Sequence, residues 1–173
     1  MEGVWHLGDL EFKSIKTIFS KIVNIFFLLQ EINISTLGHY WFCIYKKTMA
    51  HLQDRFTHTT LLHFTVPLTV IETGLQAKAR RTLGLEMKSY DDNIKRSEFN
   101  DRLREEYGTK EFLFDLATLE STYPDGSKAI FKDNGKTYYH MASDYTDDGG
   151  HLNEKGRKRV AEKLLIFLAN RFQ

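Results

Sequence analysis

"TTLLHFTVPLTV", residues 59–70, carries the decision about the fold. It is a continuous apolar run rich in Thr, Val and Leu. Apolar side chains on both faces indicate a strand buried on both sides, as in a parallel sheet. Pro67 cannot donate to a ladder, so it marks the strand's end and the start of a loop. A second run, "EFLFDLATLES" (111–121), begins the same way. Between the two, Asp91 or Asp92 is placed to cap a helix reaching about Tyr107, with Ile94, Phe99 and Leu103 on it and Gly108 to end it. Strand, helix, strand in that order predicts a parallel α/β sheet.

The flanks extend this pattern. Residues 12–30 space Phe12, Ile15, Ile18, Phe19, Ile22, Val23, Phe26 and Phe27 as one face of a helix. Residues 39–56 begin aromatic and end helical, with Tyr45, Met49 and Leu52 on one face. Residues 71–90 are mixed and basic in the middle. "TYPDGSKAIF" (122–131) is a turn signal. Residues 154–172 put Val160, Ala161, Leu164, Leu165, Leu168 and Phe172 on one stripe, the plainest helix in the chain. No repeat, low-complexity segment or linker divides the 173 residues, which suffice for one domain over 1–173.

A net charge of +1, with acidic and basic residues intermixed, argues against a nucleic-acid binder that relies on bulk positive charge. No run of about 18 apolar residues is present, so no membrane span is expected. Cys43 is the only cysteine. It can form no internal disulfide and reads as a buried small hydrophobe; a reducing, cytoplasmic setting is the expectation. Export is the weaker alternative, since "IVNIFFLL" (22–29) faintly resembles a signal core but no small-residue cleavage site follows.

The chemistry-bearing stretch is "YTDDGGHLNEKGRKRVAEKLL" (145–165). Asp148 and His151 are three apart, close enough for their Cα atoms to lie within about 7 Å across one turn. The carboxylate can then hold one ring nitrogen of His151 and leave the other free as a general base. Asn153 is a plausible N-cap for the helix that follows. Three other readings remain open. One is a calcium loop using Asp144, Thr146 and Asp148, weakened because Lys155 stands where a bidentate Glu is needed. Another is a zinc site, which lacks further His or Cys ligands. The last is a glycine turn with an incidental histidine. No metal and no cofactor is expected. Thr65 and Pro67, at the end of the first strand, are candidate substrate contacts or strand-end packing. Arg96 and Asn100 lie four apart on the expected helix. Asp115 fits a hydrogen bond to backbone.

The last block resembles that of the SGNH (GDSL-type) hydrolases, in which Asp-x-x-His precedes the closing helix. Asp148, His151, Leu152, Asn153 and Gly156 match it. "HFTVPLT" (63–69), "NIKRSEFNDRLREEY" (93–107) and "LFDLATLESTYPDG" (113–126) are similar to a bacterial branch of that family. The resemblance runs from about residue 45 to the end. It implies a three-layer α/β/α, flavodoxin-like fold with a mostly parallel sheet, and a serine esterase acting on carboxylic esters, carbohydrate O-acetyl groups among them. His151 would be the general base and Asp148 its orienting partner. The front departs from the pattern. In "HLGDLEF" (6–12), Leu10 follows Gly8-Asp9 where a nucleophilic serine would stand, and Ser14, Ser20 and Ser35 sit in no recognisable strand-to-helix elbow. The expectation is that the first strand and its serine are missing, through truncation or trimming. Loss of the nucleophile costs such enzymes on the order of a millionfold in kcat. The alternatives are therefore an inactive pseudo-hydrolase, or a remnant acting as a binding domain. A sheet lacking a strand also implies exposed apolar surface and self-association.

Overall fold

In the computed structural model, residues 38–171 are described, apart from 73, 76–78, 80–81, 84–87 and 110–111. The helix expected over 12–30, the Gly8-Asp9-Leu10 stretch, Ser14, Ser20 and Ser35, and Phe172 lie outside them. The described elements are helix α1 (Gly38–Arg55), strand β1 (Leu62–Phe64), helix α2 (Lys88–Tyr107), strand β2 (Phe112–Phe114), the short helix α3 (Leu116–Glu120), strands β3 (Ile130–Asp133) and β4 (Lys136–Tyr139), a 3-10 turn at Ser143–Tyr145, and helix α4 (Glu154–Arg171). These residues form a mixed α/β arrangement with two small sheets. β1 and β2 pair in parallel, Leu62 opposite Phe112 and Phe64 opposite Phe114. β3 and β4 pair antiparallel.

The long apolar run is a strand for only three residues. Thr65 N still donates to Phe114 O at 3.2 Å, and there the sheet pairing stops. The next four residues remain buried or half-buried, so their backbone groups need other partners. Side chains supply them. Asn100 accepts from Val66 N at 2.6 Å and donates to Val66 O at 2.9 Å. Arg96 Nη1 donates to Pro67 O at 2.7 Å. Glu120 Oε2 accepts from Leu68 N at 2.8 Å. Asn93 accepts from Thr69 N at 3.0 Å and donates to Thr69 O at 2.9 Å. Asn93, Arg96 and Asn100 fall on one face of α2 because steps of three and four residues share a face. A primary amide offers one acceptor and one donor side by side, so each asparagine meets a backbone residue as a strand neighbour would.

Around this clamp the core is aromatic. α1 is helical from Gly38, so its aromatic start belongs to the helix. Phe42 meets Phe99 edge-on at 5.7 Å, and Tyr45 packs against Phe99 and Tyr107. Cys43 is half-buried rather than buried. α2 begins one turn before the expected cap, at Lys88, and Asp91 falls in its first turn, where a carboxylate complements the helix dipole. Asp115 caps α3, accepting from Thr118 N at 3.1 Å, and takes a forked contact from Arg104 at 2.9 Å to each oxygen. Burial works to raise the Asp115 carboxyl, but the Arg104 guanidinium holds it below its ordinary value.

A hairpin follows that the apolar-run argument does not reveal. Asn134 and Gly135 both have positive φ, 46° and 78°, which is the two-residue turn that Asn-Gly favours. Phe131 and Tyr138, opposite each other, stack at 5.6 Å and bury against Ile71, Tyr90 and Ile94. In α4, Gly156 is required by space, since a Cβ there would stand 2.8 Å from Tyr145 O. The expected apolar stripe is only partly covered. Val160, Leu164 and Leu168 are half-buried, while Ala161 and Leu165 are exposed. Phe167, outside that stripe, meets Phe114 at 5.6 Å. No helix among the described residues is long and apolar enough to cross a membrane.

Two outcomes follow from the clamp. Asn100→Ala leaves the buried Val66 N–H and C=O unpaired, at about 1–3 kcal/mol each, and chemical denaturation is expected to show a loss of roughly 2–4 kcal/mol. Burial pushes the Glu120 carboxyl up to about 8, against the opposing pulls of Leu68 N–H and Arg96. A folded-state value raised above the unfolded one contributes stability at low pH that is lost as pH rises. Unfolding free energy is thus expected to fall between about pH 4.5 and about pH 8, the ordinary and shifted values. Glu120→Gln, which keeps an acceptor for Leu68 N, is expected to flatten that slope in denaturant titrations across pH.

Candidate functional site

The clamped segment hands its order to the loop at 146–153. Met141 N donates to Thr69 O at 3.0 Å, and Val70 N donates to Gly149 O at 2.9 Å. The chain leaving β1 is therefore hydrogen-bonded to the middle of the Asp–Gly–Gly–His sequence. Gly149 has φ +85°, a conformation that costs an L-residue about 1–2 kcal/mol. From the other side, Thr146 and Leu152 bridge the base of the loop. Asn153 then starts α4, accepting from Gly156 N at 3.0 Å as the N-cap that its position predicts.

Within the loop, Asp148 is the hub. Its Oδ1 accepts from Gly150 N at 2.9 Å, His151 N at 2.8 Å and the Thr146 hydroxyl at 3.2 Å. Its Oδ2 lies 2.7 Å from His151 Nδ1. The Gly150 and His151 amides, then the imidazole, hold the Asp148 carboxyl far below the usual carboxylate range. An ionised carboxylate can only accept, so the proton on the shared bond belongs to Nδ1, and in the neutral imidazole Nε2 carries the lone pair. The two side chains are 57% and 80% exposed. Among the described residues, no Ser, Thr or Cys is hydrogen-bonded to His151.

The neighbouring acids are occupied elsewhere. Asp144 pairs with Lys155 at 2.9 Å, and Asp147 accepts from Asn153 Nδ2 at 3.2 Å. The two carboxylates of the calcium reading, Asp144 and Asp148, thus already face the Lys155 ammonium and backbone N–H groups respectively. No three His, Cys, Asp or Glu side chains among the described residues are grouped to hold a metal ion. His140, whose Nδ1 lies 2.8 Å from Met141 O, is half-buried, and burial lowers its pKa.

Thr65 and Pro67 are both buried. The Thr65 hydroxyl accepts from Ala117 N at 2.8 Å and donates to Asp115 at 3.2 Å. The Pro67 carbonyl is taken by Arg96. The structure therefore joins Asp148 to His151, and it buries Thr65 and Pro67 with their polar groups bonded to Asp115, Ala117 and Arg96. Two supporting groups escape a sequence-only reading, Asn93 and Glu120. Glu120 had a signal, an acid directly after the apolar "LATL", whereas Asn93, between Asp92 and Ile94-Lys95 on a largely polar helix, had none.

Comparison with protein-family models, curated proteins and solved structures finds no match to this chain.

Asp148→Asn is expected to keep the loop folded, because the amide oxygen can still accept from the Gly150 and His151 N–H groups. The amide NH₂ would then face Nδ1 and force the proton onto Nε2. Long-range ¹H–¹⁵N spectra of the neutral imidazole should show that tautomer switch, with Nδ1 protonated in the wild type and Nε2 protonated in the variant.

Proposed function

We propose that the Asp148–His151 pair is the acid–base half of a serine-esterase site of the SGNH type, on a three-layer α/β/α framework of which the β1–α2–β2 unit is one part. One observation carries the reading. The imidazole is held through Nδ1 by a carboxylate that is itself fixed by two backbone N–H groups, and Nε2 is left exposed to solvent. That arrangement suits a base that must be oriented before substrate arrives. In the reaction, Nε2 takes the proton of an attacking hydroxyl as that oxygen bonds to the ester carbonyl. His151 then returns the proton to the departing alcohol, and water repeats the sequence on the acyl group. Asp148 keeps the Nδ1 tautomer and stabilises the imidazolium.

A second reading has its own observation. Among the described residues no hydroxyl or thiol engages His151, and the pair is more exposed than a desolvated site. On that reading the chain is a non-catalytic relative whose loop serves to start α4.

The test is turnover of a chromogenic acetyl ester by the full chain. His151→Ala is expected to lower kcat by roughly 10²–10⁴-fold, the usual contribution of a positioned base, with little change in Tm. Turnover that survives the substitution, or a wild-type chain indistinguishable from buffer, removes the esterase reading. Labelling by a phosphonate ester, located by peptide mapping, would identify the nucleophile.

A further inference from the structure

Three dipeptides among the described residues place an acid or amide side chain directly before glycine: Asp125-Gly126, Asn134-Gly135 and Asp148-Gly149. Glycine offers no side chain to shield its backbone nitrogen, so that nitrogen can reach the preceding side-chain carbonyl carbon. The structure treats the three very differently. Asp125 is held by Ser127, whose N–H and hydroxyl both donate to Oδ1 at 2.9 and 2.7 Å. Asp148 is held by two backbone N–H groups and His151. Both carboxyls are drawn below their ordinary range by these hydrogen bonds, and an ionised carboxylate is a poor electrophile. Each also accepts from an N–H two residues on.

Asn134 has neither protection. It is an uncharged amide on the exposed tip of the β3–β4 hairpin, and Gly135 beside it is exposed as well. Its Nδ2 donates to Asp133 Oδ2 at 3.0 Å. Its carbonyl oxygen accepts no hydrogen bond among the described residues. The other asparagines differ. Asn93 and Asn100 are buried in the clamp, Asn153 is locked as a helix cap and followed by Glu154, and Asn170, exposed on α4, is followed by Arg171 rather than glycine.

We propose that Asn134 is a self-modification site, at which the chain converts its own asparagine to aspartyl and isoaspartyl forms. The Gly135 nitrogen loses its proton to solvent base and bonds to Asn134 Cγ. The Cγ–Nδ2 bond breaks, and Nδ2 leaves as ammonia after taking a proton from water. The resulting five-membered imide is opened by water at either carbonyl. Opening at the main-chain carbonyl yields an isoaspartyl link, which inserts an extra carbon into a two-residue turn. The aspartyl product puts a carboxylate where an N–H donor faced Asp133, and the isoaspartyl product removes that donor. The turn sets the register that stacks Phe131 on Tyr138, so the hairpin's seat on Ile71, Tyr90 and Ile94 is what conversion loosens.

Peptide mass spectrometry on the full chain, incubated folded in mildly alkaline buffer, tests this. Asn134 is expected to show the amide-to-acid mass gain, with isoaspartyl product, at least an order of magnitude ahead of Asn93, Asn100 and Asn153. No gain at Asn134 in the folded chain overturns the proposal, whether or not a urea-unfolded sample converts. Gain spread evenly over the asparagines overturns it too.

Discussion

The structure depends on how the main chain from Val66 to Thr69 is satisfied after it leaves the β1–β2 pairing. Buried peptide groups must be hydrogen-bonded, and a missed bond costs about 1–3 kcal/mol. Two asparagines, an arginine and a glutamate meet Val66, Pro67, Leu68 and Thr69 in turn. These contacts pin α2 and α3 to the strand end. The next residue, Val70, carries the bond to Gly149. The candidate site is therefore registered to the core through backbone, and the functional side chains add only their own last contacts.

Two carboxylates in this small region are driven in opposite directions by opposite environments. Glu120 lies in the core with one backbone donor, and desolvation raises it. Asp148 lies at the surface with two backbone donors and an imidazole, and those bonds lower it. The pairing follows from general electrostatics, since burial penalises the charged form and donors favour it. It also assigns the roles. Glu120 can accept from Leu68 N without bringing a full charge into the core. Asp148 remains ionised over the range in which an imidazole serves as a base.

How much was legible in advance differs by residue. The Asp148–His151 contact was foreseeable, because a spacing of three with glycines between leaves few conformations that do not bring the two together. Asn153 as a cap, the helix end at Tyr107 and the turn signal at 122–131 were local in the same sense, although Ile130 and Phe131 already belong to β3. The extent of β1 was not. "TTLLHFTVPLTV" is apolar on both faces over its length, yet pairing stops after Thr65, because what lies beside residues 66–69 is a helix face rather than a strand. The hairpin hid behind its sparse apolar content, with only Asn134-Gly135 to signal it.

The sequence by itself determined the local geometry: which residues turn, which cap, and which acid can reach which imidazole. These depend on neighbours a few positions away, and the chain carries that information in its spacing. Only the tertiary structure decided which buried backbone is fed by side chains, that Thr65 and Pro67 face inward, and that Asp148 is secured while Asn134 stands open. Those outcomes depend on groups some 20 to 80 residues apart, as with Thr69 and Asn93 or Val70 and Gly149. No periodicity along the chain records such distances.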